Sequence, residues 1–307
     1  MRADLSLTFA SLVLVLGSVA GCSGSTAEPS TTDSSRSATS TGPSDGVDRW
    51  RYAALGDSYT AAPFVPQTDL AEGCFRSTGN YPSLLADDLG ITRVNDVSCG
   101  GADTDDIAGR QAVAGGRGTQ PPQIRVVRPD SDLVTLGIGG NDENLFATLV
   151  QECTSLAEGS GTPCLDLREQ REGGTADVLR RTTARVAGVL QLVHQRAPEA
   201  RVVLVGYPRL VDPDRPCARI PLAPGDLPAV SALERDLRDA LAAAADQGDA
   251  AFVDMYALSE GHEICSDDPW VNGWRTDESR ALAYHPFAVE QRAAADAIGQ
   301  VLMEDAS

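Results

Sequence analysis

Histidine is scarce in this chain: its 307 residues include only His194, His262 and His285. Any imidazole chemistry near neutral pH must use one of these three side chains. There is no CxxC pair and no His–Cys cluster, so no segment has the ligand spacing of a zinc site. Neither a metal nor an organic cofactor is expected. No internal repeat is visible. Basic residues are few beside acidic ones, 25 against 44, for a formal net charge of −19. So acidic a chain is a poor partner for nucleic acid or an anionic surface. The excess reads as a solubility adaptation in preference to a functional acidic patch. The uncharged run Leu5 to Ala20 is too short for a comfortable transmembrane helix.

That run fits the h-region of a signal peptide, with Arg2 the only basic residue before it. It ends in Val19-Ala20-Gly21-Cys22, which resembles a bacterial lipobox. Residues 1–21 are therefore expected to be removed and Cys22 to be lipidated. The protein would then be exported, and either held on the outer face of the cell membrane by its lipid anchor or secreted. Residues 23–48 are dominated by Ser, Thr, Gly and Pro, with almost nothing to bury, and are expected to form a disordered linker. A flexible coil of that length spans roughly 28 Å. Residues 49–307 suit one domain of the larger single-core kind, expected to be monomeric.

With Cys22 set aside, six cysteines remain: Cys74, Cys99, Cys153, Cys164, Cys217 and Cys265. An even number in an exported chain points to disulfides, and six cysteines allow fifteen pairings. The sequence-local pairing joins Cys74 to Cys99, Cys153 to Cys164 and Cys217 to Cys265. Each of these loops would contribute about 3–4 kcal/mol in the chain-entropy description.

Short apolar runs alternate with helical spacing along the domain. Strands are expected over Trp50–Leu55, Arg93–Val97, Ser131–Gly139, Arg201–Tyr207 and Ala250–Met255. Helices are expected over Tyr81–Leu89, which Gly90 stops, then over Ala176–Arg196, Leu227–Ala245 and Pro286–Met303. Alternating strands and helices imply βαβ units and a mostly parallel sheet covered on both faces. Ligands of such sheets sit beyond the carboxyl ends of the strands, and Gly56-Asp57-Ser58 and Gly140-Asn141-Asp142 both follow strands.

An alcohol attacking an ester needs a base to take its proton and donors for the oxyanion that forms. His194 lies in the last turn of a helix and His262 in a polar loop, so both read as surface residues. His285, just before the final helix with Pro286 suited to its first turn, is the best general base by elimination.

Ala54-Leu-Gly-Asp-Ser-Tyr-Thr60 resembles the first block of the SGNH (GDSL-like) hydrolases, with Ser58 as nucleophile. Asn95-Asp-Val-Ser-Cys-Gly-Gly-Ala102 is similar to the second block, whose glycine amide donates to the oxyanion; Gly101 is the better match and Gly100 the alternative. Gly137-Ile-Gly-Gly-Asn-Asp142 is similar to the third, which gives Asn141 a second donor role, and His285-Pro286 is similar to the fifth. The family's last block is Asp-x-x-His, but Leu282 stands three before His285. Members that resemble secreted actinobacterial lipases orient the histidine through a backbone carbonyl, so the expectation is a Ser58–His285 dyad with the Leu282 carbonyl receiving Nδ1–H. A triad through Asp277 is the lesser alternative.

The resemblance implies a three-layer α/β/α, flavodoxin-like fold with a mostly parallel five-stranded sheet. It also implies a serine esterase or lipase that hydrolyses a lipid or small acyl ester through an acyl-serine, with the oxyanion held by Ser58, Gly101 and Asn141. A carbohydrate O-deacetylase and a non-catalytic surface binding module are the alternatives. Asp57 is expected to cap or brace its loop by hydrogen bonds. Tyr59, Phe64, Trp270 and Trp274 are candidates for lining an acyl site.

Overall fold

A computed structural model describes residues 46–70, 72–113, 118–147, 153–155, 161–162, 164 and 174–304. The expected signal peptide, Cys22 and the linker up to residue 45 lie outside the described residues. Among the described residues, seven strands run in chain order: β1 (Arg51–Gly56), β2 (Arg93–Asp96), β3 (Gln111–Ala112), β4 (Thr119–Gln120), β5 (Leu133–Gly137), β6 (Arg201–Val205) and β7 (Ala251–Val253). β3 and β4 form a small antiparallel pair. The other five make one all-parallel sheet in the order β2-β1-β5-β6-β7. Among these five, the chain order is 2-1-3-4-5, the doubly-wound flavodoxin-like arrangement.

Among the described residues, the α-helices of four residues or more are α1 (Ser58–Ala61), α2 (Tyr81–Leu89), α3 (Thr104–Ala108), α4 (Gly174–Arg196), α5 (Leu227–Gln247), α6 (Met255–Leu258) and α7 (Ala288–Glu304). Strand side chains alternate between faces, which divides the core in two. Leu55, Leu136 and Leu204 pack with Val186 and Leu190 of α4 and Leu237 and Leu241 of α5. Tyr52, Ala54, Leu133 and Val203 pack with Leu85 of α2 and Ile298 and Leu302 of α7. The result is the three-layer α/β/α architecture.

Local signals account for the sharpest boundaries. α2 starts where the Asn80 side chain accepts from Ser83 N and ends at Gly90, whose φ of 68° closes the helix. α3 adds to the helices expected from periodicity; its signature is the capping box in which Asp103 and Asp106 each bond the other's backbone N–H. The last helix starts at Ala288, not Pro286. Pro286 instead sits in an antiparallel bridge with Val271, and Asn272 N donates to His285 O at 2.9 Å. His285 is thus held in an extended segment and does not stand at a helix entrance. The disulfides are Cys74–Cys99, Cys153–Cys164 and Cys217–Cys265, the sequence-local pairing.

Candidate active site

β1 and β5 run side by side to their ends, where Gly56 pairs with Gly137. A Cβ on Gly56 would lie 2.2 Å from Thr60 Oγ1 and 2.7 Å from Gly137 O, so only glycine allows the chain to turn there. The turn is pinned by Asp57 N donating to Gly137 O at 3.0 Å and by Asp57 Oδ1 accepting from Tyr59 N at 2.8 Å. Asp57 therefore braces the loop as expected. The Gln123 side-chain amide clasps Gly56, accepting from its N–H at 2.8 Å and donating to its carbonyl at 2.9 Å. Ser58 opens α1 and is only partly buried, between the buried Asp57 and Tyr59.

The loop after β2 is tied back to β1: Val97 N donates to Ala54 O and Cys99 N to Gly56 O. The Cys74–Cys99 disulfide anchors the same loop. Gly100 N is spent on Cys74 O at 2.8 Å. Gly101 is exposed, with φ 76°, and its amide has no acceptor among the described residues. A Cβ on Gly101 would meet nothing within 4 Å, so its need for glycine is conformational, not steric.

After β5, Gly139 takes φ 112° with Thr182, Val186 and Leu241 packed against it. Asn141 Nδ2 donates to Ala102 O at 2.9 Å, which aims the side chain and leaves one amide hydrogen for another acceptor. Asp142 is buried and accepts from Thr104 N at 2.9 Å and Thr104 Oγ1 at 3.0 Å, locking this loop to the start of α3. Burial pushes the Asp142 carboxyl up to about 6, against those two bonds.

Leu282 to His285 form a tight turn closed by His285 N donating to Leu282 O at 3.1 Å. Tyr284, in its third position, has φ 60°. Leu282 O also accepts from Asn272 Nδ2 at 3.2 Å. The expectation for this carbonyl is therefore corrected: His285 Nδ1 lies 2.7 Å from Ala283 O. The turn consumes the Leu282 carbonyl in its own closure and leaves that of Ala283 for the ring. Asp277 is exposed and accepts from Ser279 N and Oγ at 3.0 and 2.6 Å; no bond joins it to His285. Burial pushes the imidazole pKa down to about 4, against an upward pull from the Ala283 carbonyl. His194 contacts Asp249 O at 2.9 Å, and His262 stacks on Trp270 at 4.4 Å. Neither lines the cavity that holds Ser58.

Ser58, Gly101, Asn141 and His285 line one cavity of about 380 Å³. Its apolar wall includes Tyr59, Phe75, Phe146 and Leu282. Of the four aromatics singled out in the sequence, Tyr59 alone is on that wall. Trp270 packs with the α2–α7 layer, and Trp274 is exposed beneath the Arg275 guanidinium. Phe146 stacks on Tyr59 with centroids 5.4 Å apart, a contact that no local pattern announces. The arrangement places a hydroxyl, an imidazole, free amide donors and an apolar wall around a single opening.

Residues 54–289 match the GDSL-like lipase/acylhydrolase family. Lipase 2 of Streptomyces coelicolor is 37% identical over 264 residues, covering 82% of this chain and 85% of that protein. The crystal structure of an extracellular lipase from Streptomyces rimosus superposes with a TM-score of 0.66 at 29% identity, covering 82% of this chain and 99% of that one. That of phospholipase A1 from Streptomyces albidoflavus gives a TM-score of 0.63 at 26% identity, with the same coverage of both chains.

Proposed function

Because this chain belongs to the GDSL-like lipase/acylhydrolase family and is an ester hydrolase, we propose that it works through a Ser58–His285 dyad and an acyl-serine intermediate. The observation that carries this reading is the shared cavity: Ser58, His285, Gly101 and Asn141 line it together. In the first step His285 Nε2 takes the Ser58 proton as Oγ attacks the ester carbonyl. The C=O electrons move onto the oxygen, which the Ser58 and Gly101 amides and the Asn141 side chain receive. Neither amide has a protein acceptor among the described residues, so both donors stand free for that oxygen. His285 then protonates the leaving alcohol. Water, deprotonated by the same imidazole, releases the acid and restores Ser58.

Ala283 O fixes the tautomer by accepting from Nδ1–H, which leaves Nε2 as the base. The depressed imidazole pKa keeps that nitrogen unprotonated at neutral pH. Tyr59, Phe75, Phe146 and Leu282 give the cavity a hydrocarbon wall, which suits an acyl chain better than a sugar and favours lipase or esterase over O-deacetylase. Three disulfides support an exported protein. Cys22, in its lipobox-like context, supports tethering of the mature chain to the outer face of the membrane.

The test is Ser58→Ala together with labelling by a serine-directed phosphonate. The variant should lose hydrolysis of p-nitrophenyl esters while keeping its circular dichroism spectrum, and the label should fall on Ser58 alone. Activity in the variant, or label on another serine, would end this reading. Rates on esters from acetyl to palmitoyl separate the two substrate classes: activity confined to acetyl esters would favour the deacetylase.

A further inference from the structure

We infer that Tyr207 is a positioning residue for ester hydrolysis, its hydroxyl joining the turn that carries Ser58 to the loop that carries Asn141. The inference rests on the roles proposed above for those two residues. Tyr207 lies just past β6 and is 7% exposed. Its hydroxyl donates to Asp57 Oδ2 at 2.6 Å and accepts from Gly140 N at 2.8 Å. Asp57 immediately precedes Ser58, and Gly140 immediately precedes Asn141. One oxygen atom therefore spans the residues just upstream of the nucleophile and of the oxyanion donor.

The sheet alone does not supply this link. Pairing of β1 with β5 ends at Gly56 and Gly137, and Asp57 N still reaches Gly137 O. Beyond Gly137 the chain leaves the strand geometry, with Gly139 at φ 112°. Among the described residues no direct hydrogen bond joins Asp57 or Ser58 to the Gly139–Asn141 segment. The two ends also demand opposite things, since a carboxylate accepts and an amide N–H donates. A hydroxyl is the simple group that satisfies both.

Asp57 and Gly140 are both buried, so an end left unpaired cannot turn to water and must shift or pay desolvation. Burial pushes the Asp57 carboxyl up to about 7, with the Tyr207 bond pulling it back and nearby Asp142 adding to the rise. The ring plays a separate part, packing edge-on against Tyr59 and Phe146 with centroids 5.2 and 4.8 Å away. Tyr207→Phe keeps that packing and removes only the bridge. Because an oxyanion donor works only when it is aimed at the developing charge, a small relative shift of the two segments falls on the transition state more than on substrate binding.

The experiment is a double-mutant cycle on p-nitrophenyl butyrate, with Tyr207→Phe made in the wild-type and Asn141→Ala backgrounds. In the wild-type background, kcat should fall about 10- to 100-fold while KM stays within about twofold, a part of the roughly 10²–10³ lost when an oxyanion donor is removed outright. In the Asn141→Ala background the same change should lower kcat by less than about threefold, because the donor whose aim the bridge sets is already gone. An equal loss in both backgrounds, or a wild-type kcat in Tyr207→Phe, overturns the inference. Should Tyr207→Phe fail to fold by circular dichroism, Asp57→Ser takes its place in the cycle with the same expected and overturning results: its hydroxyl can still accept from Tyr59 N, but it has no second oxygen for Tyr207. Ser58→Ala, assayed in parallel, separates the two levels: if it remains active, the dyad reading fails. If it is inactive while the cycle is additive, only the Tyr207 role is lost.

Discussion

The imidazole Nδ1 of His285 lies 2.7 Å from the carbonyl oxygen of Ala283, two residues back on the same loop. The orienting acceptor is thus a neutral backbone group, carried by a turn whose third residue, Tyr284, sits at φ 60°. A non-glycine residue in that region is strained by about 1–2 kcal/mol, and here the strained turn leaves the Ala283 carbonyl free for the ring. Asn272 clamps the loop, its Nδ2 donating to the carbonyls of Arg275 and Ala281 at 2.8 and 2.9 Å. A carbonyl stabilises an imidazolium less than a carboxylate does, so in the proposed mechanism the burden on the oxyanion donors rises.

On the proposed dyad, with a carbonyl orienting His285, no acidic side chain is essential to the base. Asp277→Ala should lower kcat by less than about tenfold, far from the roughly 10⁴ typical when a triad acid is neutralised, because its carboxylate is occupied by Ser279 at the surface. His285→Ala should be almost inactive. Steady-state kinetics on both variants checks this; a several-thousandfold loss in Asp277→Ala with the fold intact would establish a triad.

Asn141→Ala should lower kcat by about 10²–10³, the usual cost of one oxyanion donor, with little change in KM. In that proposed role the bond from Asn141 Nδ2 to Ala102 O aims the side chain. An effect confined to KM would make Asn141 a substrate-binding residue instead.

Gly101→Ala separates conformation from bulk. The added methyl would meet no atom within 4 Å, so its only penalty comes from φ 76°, a region that alanine resists by about 1–2 kcal/mol. The expected result is a fall in kcat larger than the fall in thermal stability implies, as the backbone relaxes and turns its amide away. Gly100→Ala would press on Cys74 O at 3.3 Å and should register mainly as a lower Tm. Parallel kinetics and melting curves decide between the two glycines.

Glu290 offers a test in pH. It is 3% exposed on α7, its partner is Gln291 Nε2 at 2.8 Å, and burial pushes its carboxyl up to about 8. In the unfolded chain the proton leaves at the ordinary, lower value; in the folded protein it stays until about pH 8. Across that window the folded state binds more protons, so this group's contribution to stability is full at low pH and is lost as pH rises through the folded value. Glu290→Gln cannot ionise. Its Tm, followed by calorimetry from about pH 5 to 9, a range that brackets the folded value, should therefore fall less than that of the wild type. Parallel curves would mean that the carboxyl is not held neutral.

What can be read in the sequence is local. The runs Trp50–Leu55 and Arg201–Tyr207 announce buried strands because a strand covered on both faces is apolar almost throughout. Tyr81–Leu89 announces its own limits because Asn80 and Gly90 cap it within a few residues of chain. Ser58, Gly101, Asn141 and His285 stand in short motifs, and they line one cavity. Cys74–Cys99 and its two companions pair with their nearest cysteines in sequence, consistent with the small entropy cost of closing short loops.

What only the tertiary structure decided lies in groups that meet through space. The choice of Ala283 over Leu282 depends on the handedness of one turn at Tyr284, and residue spacing alone does not encode that sign. Gln123 reaches Gly56 from 67 residues away, and Tyr207 reaches Asp57 across 150; their residue types carry no mark of either bond. Phe75 and Phe146 join the cavity wall while Trp270 and Trp274 do not, because loop paths, not hydrophobicity, determine which aromatic faces the opening. Side-chain chemistry and chain periodicity are properties of neighbours in sequence. The aim of a hydrogen bond is a property of where the folded backbone sets two distant residues down.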